Sequence, residues 1–358
     1  MDPLTQTLLG AVAAQAVLGR KLGRTAALVG AVGGELPDID VFFPWADAAL
    51  PIEYHRHFTH SIAFVPVVGV IAALPFLLVG RWRHNWKLLI AAATIGCATH
   101  GLLDTCTSYG TYLLWPFVNQ RLAWDLISII DPLFTVVLAT GLVWSLIAKS
   151  ARPGRVALLM CLVYLGVGLV QHARAAAVQE QLASQRGHEI TRGRVMPTLG
   201  NLLLWRSVYE AEGMLYADAV RAGMFGSAMV REGASVPLAR FEDLPQEARD
   251  SQRILRVFGG FAKFADGYVA HLPDDPRVIA DMRYSISPAG FEPLWGIEIE
   301  SAEPYPTVRW IYLGADRNSA LRDLWQDLFD ASEFRPVTDH QTRQQGPRKI
   351  AKNQAIGR

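Results

Sequence analysis

Residues 33–61 read GGELPDIDVFFPWADAALPIEYHRHFTHS. Two carboxylates, Asp38 and Asp40, stand one residue apart, and His55, Arg56, His57 and His60 follow. The chain on either side is strongly apolar. Ionisable groups beside membrane-depth segments are costly and usually functional. Carboxylates mixed with imidazoles are the ligand set of a metal site. The sequence therefore reads as a membrane scaffold that positions this stretch.

Working outward, the apolar runs are residues 4–18, 26–34, 61–79, 88–103, 127–148 and 156–170. The first two fall short of the roughly 20 residues of a comfortable span and suggest a packed helical hairpin. Pro66 and Pro75 are expected to kink the third. The start, MDPLTQTLLGAV, has no basic region ahead of its apolar stretch, so it reads as a retained segment rather than a secretory signal. Three loops, 20–24, 81–87 and 149–155, carry most of the Lys and Arg of this half. Alternating helices place all three on one side, the cytoplasmic side by the positive-inside rule. Asp38, Asp40, His55, His60, Asp104 and Asp131 then fall at the opposite helix ends, with His100 one turn deeper. The charge rule uses none of these residues, so their convergence is independent of it.

Hydrophobic residues make up 51% of the 358 and charged residues 19%, but the average hides a split near Gln171. The apolar half gives way to HARAAAVQEQLASQRG, a polar helical continuation, and from about Thr191 to strand patterns. NLLLWRSVYEAEGMLYADAV alternates on both sides of Glu212-Gly213 and reads as a hairpin. A second hairpin is expected in RYSISPAGFEPLWGIEIE, a strand in TVRWIYLG, and amphipathic helix in SALRDLWQDLFD. The predicted architecture is a multi-pass α-helical membrane domain (1–172), a helical connector (173–190), a soluble α+β domain (191–335) and a disordered basic tail (336–358). The net charge of +1 argues for no particular partner, and the basic patches do not form a nucleic-acid surface. Cys97, Cys106 and Cys161 lie far apart and give no disulfide framework. Neither a Gly-rich phosphate loop nor a nucleophile elbow is present.

Each candidate residue also has a bland reading. Asp38 and Asp40 can direct both carboxylates to one side of an extended segment, or merely cap a solvated turn. His55 and His60, five apart, meet only if the chain turns between them; otherwise they are interface histidines. Arg56 can pair with a ligating carboxylate or hold a substrate anion such as phosphate, and His57 is a secondary candidate. His100 and Asp104 share one helix face at i and i+4, although a lone His in an apolar helix is often just hydrogen-bonded. Asp131 is a general base or supporting group, or a plain helix cap. Thr5 and Gln6 can lend an oxygen or a hydrogen bond, and Asp125 reads as a loop residue. Together the His and carboxylates suffice for one metal or two. Such an ion acidifies bound water and polarises a phosphoryl or carbonyl oxygen.

The segments MDPLTQTLLGA, GELPDID, EYHRHFTHS, HGLLDTCTSYGT and IIDPL, in that order, resemble the YdjM-like family of bacterial inner-membrane, metal-dependent hydrolases over about the first 170 residues. The resemblance implies a multi-pass membrane protein whose metal site includes Asp38, Asp40, His55, His60, His100 and Asp104. Many members carry a His where this chain has Gln6. The expected function is hydrolysis of an ester or phosphoester, lipid-like in the favoured case, by metal-activated water at the outer, periplasmic face of the inner membrane. Zinc suits the His content, with manganese, iron or magnesium open to the carboxylates. The expected partners are membrane lipid and a small-molecule or lipid-like substrate. The rival readings are a metal-stabilised scaffold whose C-terminal domain binds a partner, and an ion transporter.

Overall fold

The computed structural model describes residues 1–42, 55–285, 287–300, 307–314 and 317–337. The middle of the opening stretch, 43–54, and the predicted tail beyond 337 lie outside the described residues.

The first half is helical. α1 (Pro3–Leu22) starts on an Asp2 cap that accepts from Thr5 N, with Pro3 at its first position. Gly23, at φ +60°, turns the chain into α2 (Arg24–Glu35). A 3-10 segment, Leu36–Phe42, carries Asp38 and Asp40. A short 3-10 turn, Phe58–His60, precedes α3 (Val65–Leu77). The run 61–79 is therefore not one span: Pro66 sits in the first turn of α3, where its missing N–H costs nothing, while Pro75 lies inside the helix. α4 (Gly80–Arg83) is one turn, and α5 (Trp86–Cys106) ends in His100 and Asp104. α6 (Pro132–Ile147) is capped by Asp131. α7 (Arg152–Arg186) fuses the last apolar run and the polar connector into one 35-residue helix closed by left-handed Gly187.

Among the described residues two helices, α5 and α7, are long and apolar enough to cross a membrane, while the apolar helices α3 and α6 are shorter. Their outer faces are apolar: Leu159, Leu162 and Val163 of α7 and Trp144 of α6 are each about 60% exposed or more. The interior is unusually polar, with Gln6, Asp40, His60, His100, Asp104 and Asp131 all buried. Glycines bring α1, α2 and α5 into backbone contact. A Cβ on Gly10 would lie 2.4 Å from Gly30 O, and one on Gly96 2.2 Å from the same atom. Arg155 Nε donates to Ala16 O at 3.0 Å, which sets the basic α6–α7 turn beside the basic end of α1.

The second half is rich in sheet. β1 (Arg192–Pro197), β2 (Leu204–Ala211), β3 (Met214–Arg221), β4 (Met229–Pro237) and a late β9 (Arg335–Pro336) form one antiparallel sheet in that order. The predicted β2–β3 hairpin is present, turning through Glu212 and Gly213 at φ +53° and +77°. After α8 (Gln246–Arg249) and α9 (Gln252–Phe264) comes a second antiparallel sheet, β5 (Val269–His271), β6 (Val278–Asp281), β7 (Trp295–Glu300) and β8 (Thr307–Tyr312), followed by α10 (Arg317–Phe329).

The second predicted hairpin is reduced to a single antiparallel bridge, Ser285 with Pro293, rather than a pair of strands. β7 pairs with β6 and β8 instead. The carbonyls of Met282, Arg283, Pro288 and Gly290 accept from the buried guanidinium of Arg206 at 2.7–2.9 Å, so they go to a side chain rather than to a ladder.

The halves meet through α7 and one loop. Ala175, Val178 and Leu182 of α7 pack on Val195, Trp205 and Val220 of the first sheet. Arg194 of β1 pairs with Asp125 at 2.9 Å and donates to Ser108 O at 2.7 Å. Tyr109, in the same loop, packs against Phe264 of α9 with ring centres 5.6 Å apart.

Candidate metal centre

The end of α5, the 3-10 segment after α2 and the turn before α3 bring four side chains together. Gly101 makes this approach possible: a Cβ there would lie 2.3 Å from His60 O, so only glycine lets the His60 turn seat on α5. His100 Nδ1 faces Gly34 O at 2.5 Å, and a carbonyl can only accept. That assigns the Nδ1–H tautomer and leaves Nε2 with its lone pair. His60 is fixed the same way. Thr59 Oγ1 donates to Asp40 Oδ2 at 2.7 Å and so accepts from His60 Nδ1 at 2.9 Å. Both Nε2 atoms then face each other at 3.0 Å. Without an ion, a proton on Nε2 links the two rings or bonds Asp38; a divalent ion can take that proton's place. Anchoring of the outer ring nitrogen is the usual support for a metal-binding His.

The carboxylates complete the set. Asp38 Oδ1 lies 3.1 Å from His60 Nε2 and 3.4 Å from His100 Nε2. Asp104 Oδ2 lies 3.4 Å and 3.5 Å from the same two atoms. It is buried and makes no hydrogen bond among the described residues. All four atoms lie within 4.8 Å of one another. A tetrahedral zinc with N and O ligands at about 2.0–2.2 Å implies edges of about 3.3–3.6 Å. The donor spacings are close to that frame, so these residues fit a divalent ion.

A second group shares Asp38 and adds Asp40 and His55. Asp40 accepts from His55 Nδ1 at 2.8 Å, from Arg56 N at 3.1 Å and from Thr59 Oγ1. Burial opposes ionisation of Asp38 and Asp40. For Asp38, hydrogen bonds from His100 and His60 outweigh that cost; for Asp40, His55 and His60 do so. Both carboxyls are held below their ordinary range.

Arg56 lies between the two groups. Its backbone is left-handed at φ +62°, uncommon for a side-chain-bearing residue. It is pinned at both ends: its N–H donates to Asp40, and its carbonyl accepts from Tyr112 N and Thr111 Oγ1 at 3.1 and 3.0 Å. The buried guanidinium sits with Nε 3.2 Å from Asp104 Oδ2 and rests 4.6 Å from the Tyr109 ring centre. Its Nε and Nη1 have no hydrogen-bond partner among the described residues. A cavity of about 530 Å³ opens beside this cluster, with Glu35, Asp38, Phe42, His55 and Arg56 in its wall.

The other candidates fall elsewhere. Asp131 is fully buried with both oxygens occupied, by Phe134 N at 3.0 Å and Tyr164 OH at 2.7 Å. The general-base role expected for it therefore gives way to helix capping. His57 packs on Tyr112 and Trp115; burial lowers its pKa, and the charges of Arg121 and Lys263 add to that. Gln6 supports rather than ligates: its Nε2 donates to Asp104 Oδ1 at 2.9 Å, where the Met1 amino group also pairs. Thr5 bonds Asp2 and Thr135, away from the cluster. Asp125 joins the two halves. Tyr109 escaped sequence reasoning, and Thr59, readable there as a cap of the following helix, does not cap α3, which starts after Phe64. Thr59 lies inside the Thr-His-Ser motif and was legible as a bridge only once the turn was known.

Residues 1–175 match the model of the YdjM inner membrane protein family, the family whose motifs the sequence resembles. A Bacillus subtilis (strain 168) protein, uncharacterized protein YfhP, is 27% identical over 275 residues, which cover 74% of this chain and 79% of that one. That alignment is longer than the family match, so the likeness continues into the sheet-rich half. No solved structure matches the chain.

Proposed function

We propose, from the premise that residues 1–175 match an inner-membrane family, that this protein is a multi-pass membrane enzyme, a metal-dependent hydrolase of an ester or phosphoester. The observation that carries the reading is that Asp38, one member of the four-residue cluster, lines a cavity together with His55 and Arg56. A purely structural ion has no need of one. In this reading Asp38, His60, His100 and Asp104 hold the ion, zinc by preference. A bound divalent ion supplies Lewis acidity and an acidic water. Asp40 holds His55, the Arg56 backbone and, through Thr59, His60. The unsatisfied guanidinium of Arg56 receives the oxyanion of the substrate. His55, partly exposed to the cavity and bonded to Asp40, either carries the proton in place of Asp131 or joins Asp38 and Asp40 around a second ion. Metal stoichiometry separates these: one ion per chain or two.

The three basic turns favour the cytoplasmic side for one end of the helices and the periplasmic side for the cluster. A site there, at the lipid surface, favours a lipid-like amphiphile as substrate. The scaffold reading has one observation in its favour: four protein donors can close a tetrahedron with no open position.

Elemental analysis of detergent-purified wild type beside His60→Ala and Asp104→Ala is the first test, followed by phosphoester and lipid-ester hydrolysis. Stoichiometric metal lost in both variants, with hydrolysis lost in parallel, is expected. Metal without any hydrolysis would move the conclusion to the scaffold. A wild type that takes up no zinc, manganese or iron would remove both.

A further inference from the structure

Tyr109 carries a second guanidinium. Arg121 lies 4.9 Å from the Tyr109 ring centre, 5.4 Å from that of Tyr112 and 5.4 Å from that of Phe264 on α9. It is partly buried. Its one hydrogen bond runs from Nη1 to Tyr109 O at 3.3 Å, and no carboxylate lies within ion-pair distance of it among the described residues. A guanidinium has five donors in one plane. Aromatic rings against it hold the group in place while leaving most of the in-plane donors unused. A partly desolvated cation with no counter-ion among the described residues offers its donors to an anion. The Tyr109 ring links it to the metal cluster, because the same ring carries Arg56 at 4.6 Å, and Arg56 touches Asp104.

We propose that Arg121 is a specificity-determining residue that binds an oxyanion, a phosphate in the favoured case, on the substrate that Arg56 and the metal cluster engage. The C-terminal domain completes this subsite through Phe264, which packs on Tyr109 and Arg121 together. The proposal rests on the hydrolase reading only in calling the anion part of a substrate.

The test uses detergent-purified full-length protein, with and without added zinc. Inorganic phosphate binding is measured for wild type, Arg121→Gln and Arg121→Lys, with metal content determined on the same samples. Arg121→Gln is expected to weaken phosphate about tenfold, the worth of one charged hydrogen bond, and to leave metal content unchanged. Arg121→Lys restores part of the loss. Where Arg121→Gln does not fold, phenylglyoxal modification of Arg121 in the wild type is read by peptide mass spectrometry. Protection by dissolved phosphate identifies a soluble anion; protection only by phosphatidate in micelles identifies a lipid headgroup. Unchanged phosphate binding in Arg121→Gln, or no protection from either source, overturns the proposal. A wild type that holds no metal yet binds phosphate through Arg121 overturns the hydrolase reading alone.

Discussion

In the helical half, Leu159, Leu162 and Trp144 face outward while Asp104, His100 and His60 are buried. In the sheet-rich half, Ile254, Phe261, Ile279 and Ile297 are buried together and Arg277 and Arg309 are largely exposed. One helix belongs to both arrangements. α7 is apolar on its surface to about Val170, then packs Ala175, Val178 and Leu182 on a sheet. In the proposed membrane placement the first half faces an apolar solvent and keeps its polar groups inside. Buried charge is costly unless paired, and here the pairing is arranged around a place for an ion.

The largest expected effect comes from breaking that outer surface. Leu159 is 61% exposed on α7. The proposed membrane placement predicts that Leu159→Arg costs about 3 kcal/mol of insertion free energy and sharply lowers the yield of membrane-integrated protein. Fractionation of membranes reads this directly. A Leu159→Arg protein recovered in membranes at the wild-type level would dissolve the contrast.

The next effect concerns the interior. Gly101→Ala changes no ligand, yet its Cβ meets His60 O at 2.3 Å. The His60 turn must move, and metal affinity is expected to fall about 10- to 100-fold, as for loss of a supporting contact. Competition with a chelator of known affinity measures it. Wild-type affinity would mean that the turn shifts freely and that α5 does not position His60.

A smaller effect is expected at the seam. Arg194 and Asp125 are nearly buried and pair at 2.9 Å. A double-mutant cycle with Arg194→Ala and Asp125→Ala should give a coupling of about 1–2 kcal/mol in thermal unfolding. Zero coupling would leave α7 as the main tie between the halves.

How much of this was legible follows the same divide. The clustering of His and Asp could be read because ionisable residues stand out against an apolar background, and because topology drawn from Lys and Arg alone sent them to one end. The β2–β3 hairpin was legible because Glu212-Gly213 is a strong local turn signal. What escaped depended on long-range contacts. Asp131 reads alike as cap or base until Tyr164 takes its second oxygen. The segment around Pro288 alternates like a hairpin until Arg206, far off in sequence, takes its carbonyls. The apolar run 61–79 looked like a span because hydropathy does not register that Pro66 begins a helix rather than interrupting one.

The smallest effect is the control that gives the first its meaning. Leu255 on α9 is also exposed, at 43%, and its neighbours Ile254 and Phe258 form the buried face. Leu255→Arg puts the same charge on an outward-facing helix position, but on a surface that the proposed placement leaves in water. Its effect on stability should stay within about 0.5 kcal/mol, and membrane recovery should not change. If Leu159→Arg and Leu255→Arg behave alike, an exposed Leu means the same thing in both halves, and the membrane reading of the first half loses its physical basis. If only the α7 variant fails, the two surfaces face different solvents.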